Sequence, residues 1–184
     1  ASATNIISLA ELRSSLRIGH TDEDALLTRL IEAAVARIDG YWGVIGKALL
    51  TQTWQVVVPY LSDPIKLPFG NNATAAVVKY YDTSNDLQTA SSDLYSIQEK
   101  VGGIEICLKT NQVWPSTYSR EDAGLVEWTI GYGAGSDVPA AIKHAVALLA
   151  SHFYENRAVT DIQSFNGLPS SVQALLHPYS AVPI

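Results

Sequence analysis

The sequence predicts an α+β fold: a helical core of about four helices with a β-rich insertion between the second and third. Two observations carry this. Hydrophobic spacing follows period 3.6 near both ends of the chain and period 2 in the middle, so strands are set inside a helical framework. The stretch Val138–Arg157 is apolar almost all round, with Ile142, Ala145, Val146, Leu149, Phe153 and Asn156 recurring at three- and four-residue steps. A helix of that kind must be packed on more than one side, so the other elements are expected to pack on it.

Taken in order, Ala1–Ile7 has no period and reads as a flexible arm. Ser8-Leu-Ala-Glu11 is a capping-box pattern, and Leu9, Leu12 and Leu16 mark one face of a first helix stopping near Ile18-Gly19. The acidic run at Asp22 complements the start of a second helix over Asp22–Trp42, striped by Leu27, Leu30, Ile31, Ala34, Ile38 and Tyr41. Gly40 and Gly43 bracket its end.

From Thr51 the period changes. Trp54, Val56, Val58 and Tyr60 alternate with Thr53, Gln55 and Val57 as a strand. Ile65–Leu67 is a short extended piece between prolines, and Ala76–Tyr81 is a strand followed by a turn at Asp82–Asp86. Leu94–Gln98 and Ile104–Leu108 flank Lys100-Val-Gly-Gly103 as a hairpin. Val126, Trp128, Ile130 and Tyr132 alternate in the last of about five strands. The glycine-rich Gly131–Asp137 then leads to the third helix, with Asp137 expected at its N-cap and Pro139 in its first turn. A polar linker over Ala158–Gly167, a short helix at Ser170–Leu176 and a flexible tail at 177–184 complete the chain. The expected organisation is one domain, with a helical core at 8–46 and 137–178 and an insertion at about 49–132.

Composition narrows the function classes. Hydrophobic residues make up 47% of the 184, and charged residues only 16% where roughly a quarter is usual, which points to uncharged surface buried between subunits. The 12 Lys and Arg, with no run of them, and a net charge of −6 argue against a nucleic-acid grip, which needs clustered basic residues. Cys107 is the only cysteine, so no internal disulfide forms, and its place in Ile-Glu-Ile-Cys-Leu reads as a small core residue. No signal peptide is expected, and no apolar run is long enough to cross a bilayer. With an Ala-Ser-Ala start, as after loss of an initiator Met, a cytoplasmic origin is expected.

No constellation carries chemistry. Gly131-x-Gly-x-Gly sits between a strand and a helix, as phosphate loops do, but no Lys-Ser/Thr follows and Asp137 puts a carboxylate where a phosphate would lie. His144 and His152 are eight residues apart on one helix and cannot share a metal ion, while His152 with Glu155 is a poor site without further ligands. His20 stands beside a helix start and His177 in the tail, so the sequence places neither for catalysis. No catalytic residue, cofactor site or metal ligand is expected.

Several segments together resemble one family. SLAELRSSLRI, TDEDALLTRLIEAA and LLTQTW, then GYGAGSDVPAAIKHAVALLASHFYENR and LPSSVQALLHPY, are similar to the head–tail connector (adaptor, head-completion) proteins of long-tailed bacteriophages and phage-like gene-transfer agents. The Tyr-x-Asn-Arg ending of the long helix is here Tyr154, Asn156 and Arg157. Residues 62–120 match only as a generic β-rich insertion. The resemblance implies a structural role for a single adaptor domain spanning 1–184. Copies of it, typically twelve, would form a ring under the portal at the capsid vertex, extend the DNA channel and meet a stopper or tail-terminator protein. DNA would pass without sequence-specific binding, and no membrane is involved. The place implied is the capsid–tail neck of a virion or phage-like particle assembled in the bacterial cytoplasm. Another phage assembly or nucleic-acid-associated protein, or a small hydrolase, remains an alternative at this point. An amphipathic segment after a polar linker, ending in a Pro-limited piece, together with analogy to the family, makes Leu168–Ile184 the expected portal-docking segment, through Leu168, Val172, Leu175, Leu176, Pro178 and Tyr179; the alternative is that it packs on the Asp22–Trp42 helix of its own subunit. A chain ending at Gly167 is then expected to stay folded and lose portal binding.

Overall fold

A computed structural model describes residues 6–100, 103–156 and 167–180. The expected arm at Ala1–Ile7 is described only from Ile6, and Ile6 and Ile7 are buried in the helical core rather than flexible; residues 1–5, the hairpin tip at 101–102, Arg157 with the linker at 158–166, and the tail end at 181–184 lie outside the described residues. The class is α+β, with four helices and seven strands among those residues. They form two compact units, one built from the chain up to Leu50 and from Tyr132 onward, the other from Thr51–Gly131.

The helical unit starts with α1 (Leu9–Leu16). The capping box is present: Ser8 Oγ accepts from Glu11 N at 3.2 Å, and Ser8 N donates to Glu11 Oε2 at 2.6 Å. The backbone hydrogen bond from Ser8 holds the Glu11 carboxyl below its usual range. The helix ends not at Gly19 but at Arg17, which takes a left-handed φ of 59° while Ile18 N donates to Arg13 O. α2 (Asp24–Ile38) buries Leu27, Ile31, Ala34, Val35 and Ile38. Arg13 Nε donates to Asp24 Oδ1 at 2.7 Å, tying α1 to α2.

The expected extension of α2 to Trp42 does not form. Asp39 is extended and its Oδ1 accepts from Leu49 N at 2.7 Å, while Gly40 has φ of 88°. The chain therefore turns away after Ile38. Tyr41, expected on the buried stripe, is 42% exposed, and Trp42 is 89% exposed.

α3 (Ala140–Glu155) is the centre of this unit, with Ile142, Ala145, Val146, Leu149 and Ala150 buried. Phe153, expected on the same face, is only half-buried. Pro139 stands at the N-cap with no side-chain cap, because Asp137 ends a preceding 3₁₀ turn instead. Tyr154 Oη donates to Glu23 Oε2 at 2.5 Å, linking α3 to the start of α2. α4 (Ser170–Leu176) packs on α3 and buries Val172 and Leu176. Tyr132 N donates to Leu49 O at 3.3 Å, so the chain leaves this unit and returns to it at adjacent points.

The second unit contains β1 (Gln52–Val58), β2 (Ile65–Leu67), β3 (Ala75–Tyr81), β4 (Leu87–Thr89), β5 (Tyr95–Lys100), β6 (Gly103–Leu108) and β7 (Gly124–Ile130). They form two antiparallel sheets, ordered β1-β7-β3-β4 and β2-β6-β5. The hairpin of β5 and β6 is paired in register from Tyr95↔Leu108 to Lys100↔Gly103. The core here is made by Ile65, Leu67, Phe69, Val78, Ile104, Ile106, Val126, Trp128 and Ile130. Trp128 is 2% exposed and its indole N–H donates to Phe69 O at 3.0 Å, so its one polar atom is satisfied. Close packing demands a glycine at Gly70, where a Cβ would come within 2.3 Å of Ile104 Cδ1. The last strand stops at Ile130 rather than Tyr132, because Gly131 turns with φ of 118°.

Candidate functional site

The C-terminal segment that the sequence marks for docking is clasped to its own helical unit. α4 starts at Pro169, and Gln173 Nε2 donates to Leu168 O at 2.9 Å, bracing the entry to the helix. Val172 and Leu176, four residues apart on one face, are both 0% exposed in the core of their own chain. They are therefore not free to supply contacts to another protein, as the sequence reading expected. The remaining four candidates stand around that buried face. Leu168, Leu175 and Tyr179 are half-buried, and Pro178 is exposed.

Beside the start of α4 lies a cavity of about 190 Å³, bounded by Leu149, His152, Phe153, Asn156, Leu168, Pro169 and Arg37. Its walls are mainly apolar. His152 Nδ1 is 3.2 Å from Asn156 Nδ2, and among the described residues no nucleophile or carboxylate borders the cavity.

The glycine loop is closed by its own aspartate. Asp137 Oδ2 accepts from Ala134 N at 2.8 Å, and a Cβ on Gly133 would lie 2.6 Å from that oxygen. The carboxylate thus holds the backbone donor that a phosphate would need. His144 is exposed on α3 and His152 is half-buried. Among the described residues no group of three or more His, Cys, Asp or Glu side chains could hold a metal ion. No helix there is long and apolar enough to cross a membrane.

Cys107 differs from its expected core position. Ile104 and Ile106 are buried, and the odd-numbered Cys107 turns to the opposite face of β6, where it is half-buried. Desolvation pushes its thiol pKa up, and the Glu105 and Asp63 carboxylates add to this. The thiolate is the reacting form. Maleimide labelling at neutral pH should therefore be clearly slower than for a free-cysteine peptide, and should speed up as the protein is unfolded in urea. Equal rates would mean the thiol is not shielded.

The surface that sequence reasoning missed is the loop after α2. Its backbone is fixed by Gly40 N to Lys47 O (2.9 Å), Gly43 N to Gly40 O (3.1 Å) and Val44 N to Arg37 O (3.0 Å). A Cβ on Gly43 would be 2.2 Å from Ile38 O, so the path allows no side chain there. The only sequence signal was the pair of glycines around Tyr41 and Trp42, which reads equally well as a plain helix end.

Comparison with known proteins is consistent across two kinds of match. The chain superposes on one from the neck of an empty gene transfer agent (GTA) particle computed with C6 symmetry, with TM-score 0.75 and 23% identity, covering 100% of this chain and 94% of that one. It is also similar to a chain of the native gene transfer agent virion (TM-score 0.73, 22% identity, 100% and 94% covered) and of the native neck computed with C12 symmetry (TM-score 0.72, 21% identity, 100% and 93% covered). At these identities the likeness concerns the fold. No curated protein matches the chain. The profile of the phage gp6-like head–tail connector proteins matches residues 6–104, more than half of the sequence, and the chain belongs to that family of structural connectors.

Proposed function

We propose that this chain is a ring-forming adaptor, about twelve copies joining the portal at the capsid vertex to a stopper or tail-terminator protein and extending the DNA channel. The family match over residues 6–104 carries the reading. The C12 and C6 symmetry of the necks that hold similarly folded chains supports the ring. Low charge content suits subunit contacts, and a net charge of −6 lets DNA slide past without adhering. The two compact units act together as a single adaptor domain at the neck of a virion or phage-like particle, assembled in the bacterial cytoplasm. The role needs no catalysis, metal or cofactor.

Portal docking is assigned to the accessible side of the C-terminal segment: Leu168, Leu175, Pro178 and Tyr179. Mass photometry of the purified protein, alone and mixed with portal, tests the assembly. A species near twelve copies is expected, and single copies in both conditions would defeat the proposal. Tyr179→Asp tests the docking surface. It should shift the thermal midpoint by only a few degrees yet weaken portal binding about tenfold or more, as loss of an aromatic contact does. Unchanged portal binding would remove this segment from the interface.

A further inference from the structure

Among the described residues the four-stranded sheet is open at both ends, β1 and β4, and both edges present outward backbone groups. Backbone groups in an antiparallel ladder alternate between neighbours. Tyr81 N donates to Ala123 O at 2.9 Å, which sets the phase: Leu125 and Glu127 bond β3, while Gly124, Val126 and Trp128 bond β1. Their β1 partners are Val58, Val56 and Trp54. The N–H and C=O groups of Thr53, Gln55 and Val57 therefore point outward. At the far edge, Ala90 N donates to Val78 O at 2.8 Å and Asp82 N to Asp86 O at 2.9 Å, so Leu87 and Thr89 point outward in the same way. Among the described residues no hydrogen bond engages the backbone groups of these five.

The two edges differ in protection: β1 is seven residues long and unblunted, whereas β4 is only three residues long, and shortness is itself one guard on an edge. β1 reads Gln-Thr-Trp-Gln-Val-Val-Val and β4 reads Leu-Gln-Thr, with no charge, proline or glycine. Val57 is 49% exposed and Leu87 52%. Natural sheets blunt such edges with Lys, Pro or bulges because an open ladder recruits another strand.

We infer that β1 of one copy pairs antiparallel with β4 of the next, so that the sheet continues from subunit to subunit. This rests on the ring proposed above and names one of its contacts. Strand polarity selects a second copy as the occupant. Each strand in β1-β7-β3-β4 is antiparallel to its neighbour, so the two edges run in opposite senses. Copies related by rotation about one axis then bring β4 and β1 together antiparallel, in a head-to-tail contact that can close. Pairing of β1 with β1 would stop at two copies.

The two edges can be blocked separately. Gln55→Pro removes an outward N–H and spares the groups bonded to β7, and Thr89→Pro does the same at the other edge. Val57→Lys and Leu87→Lys repeat the test without altering the backbone. Circular dichroism and the thermal midpoint confirm that each variant is folded. Wild-type protein should form rings in mass photometry. Each variant should self-associate roughly tenfold or more weakly. A mixture of one β1-edge variant with one β4-edge variant should recover a two-copy species and nothing larger, since a single intact junction remains. Wild-type rings with all four folded variants still forming rings would overturn the edge assignment and leave the ring standing. A wild-type protein that stops at two copies, or never associates, would overturn the ring and the edge contact together.

Discussion

Leu149→Asp should unfold the helical unit. The side chain lies in the middle of α3 and is 1% exposed, within a cluster that includes Leu27, Ile31, Ile38, Val146 and Leu176. Losing its burial costs about 2–3 kcal/mol, and an unpaired carboxylate in the same space adds several more. Against a typical total of about 5–15 kcal/mol, little stability is left. Leu149→Ala separates the two contributions, because it creates a cavity without a charge and should cost about 2–5 kcal/mol. The pH dependence is a second check. Burial raises the carboxyl pKa of the introduced Asp above its unfolded value near 3.9. The penalty is therefore smallest below that value and grows as pH rises through the folded pKa. Denaturant melts of Leu149→Asp and of the uncharged Leu149→Asn should converge near pH 3 and separate at pH 7. An Asp variant with an unchanged midpoint at pH 7 would show that Leu149 is not in the core.

What the sequence made legible is what repeated spacing encodes. The α3 face from Ile142 to Leu149, the Ser8–Glu11 capping box and the β5–β6 hairpin each depend on residues a few positions apart and formed as the spacing required, while the same face fades at Phe153 and Asn156. The errors arose where distant parts of the chain decide. α2 ends at Ile38 because the Asp39 side chain bonds Leu49 N, a contact ten residues away that no periodicity records. β4 is three exposed residues with no apolar alternation, held only by pairing with β3. Cys107 misled because the alternation is real but its parity was misassigned: Ile104 and Ile106 own the buried face. In the candidate docking segment the spacing predicts Val172, Leu175 and Leu176 on one side, whereas α4 buries Val172 and Leu176 and leaves Leu175 half-buried. A pattern of that kind demands an apolar partner but does not say whether it belongs to the same chain.

The second large effect decides that last question. Leu176→Asp should lower the thermal midpoint by roughly 10 °C, corresponding to about 3 kcal/mol for a chain of this size. Leu176 is 0% exposed, and with Val172 it is what holds α4 against α3. The loss has a ceiling, because α4 can detach and carry the carboxylate into water. The cost then cannot exceed the docking free energy of the helix, which is burial of two aliphatic side chains less the entropy of ordering one short segment. Leu149 has no such escape, so its variant should be the worse of the two. Leu175 is one residue earlier, about 100° around the helix, and only half-buried. Leu175→Asp should therefore leave the midpoint within a few degrees while weakening portal binding. The same reasoning revises the expectation for a chain ending at Gly167. It should be measurably less stable than the full chain, so lost portal binding in that truncation would not by itself identify the docking surface. Midpoints from calorimetry and portal binding from a pull-down, measured on both single variants, separate the roles. Equal stability losses at 175 and 176 would mean that both side chains belong to the core and that the segment has no face left for a partner.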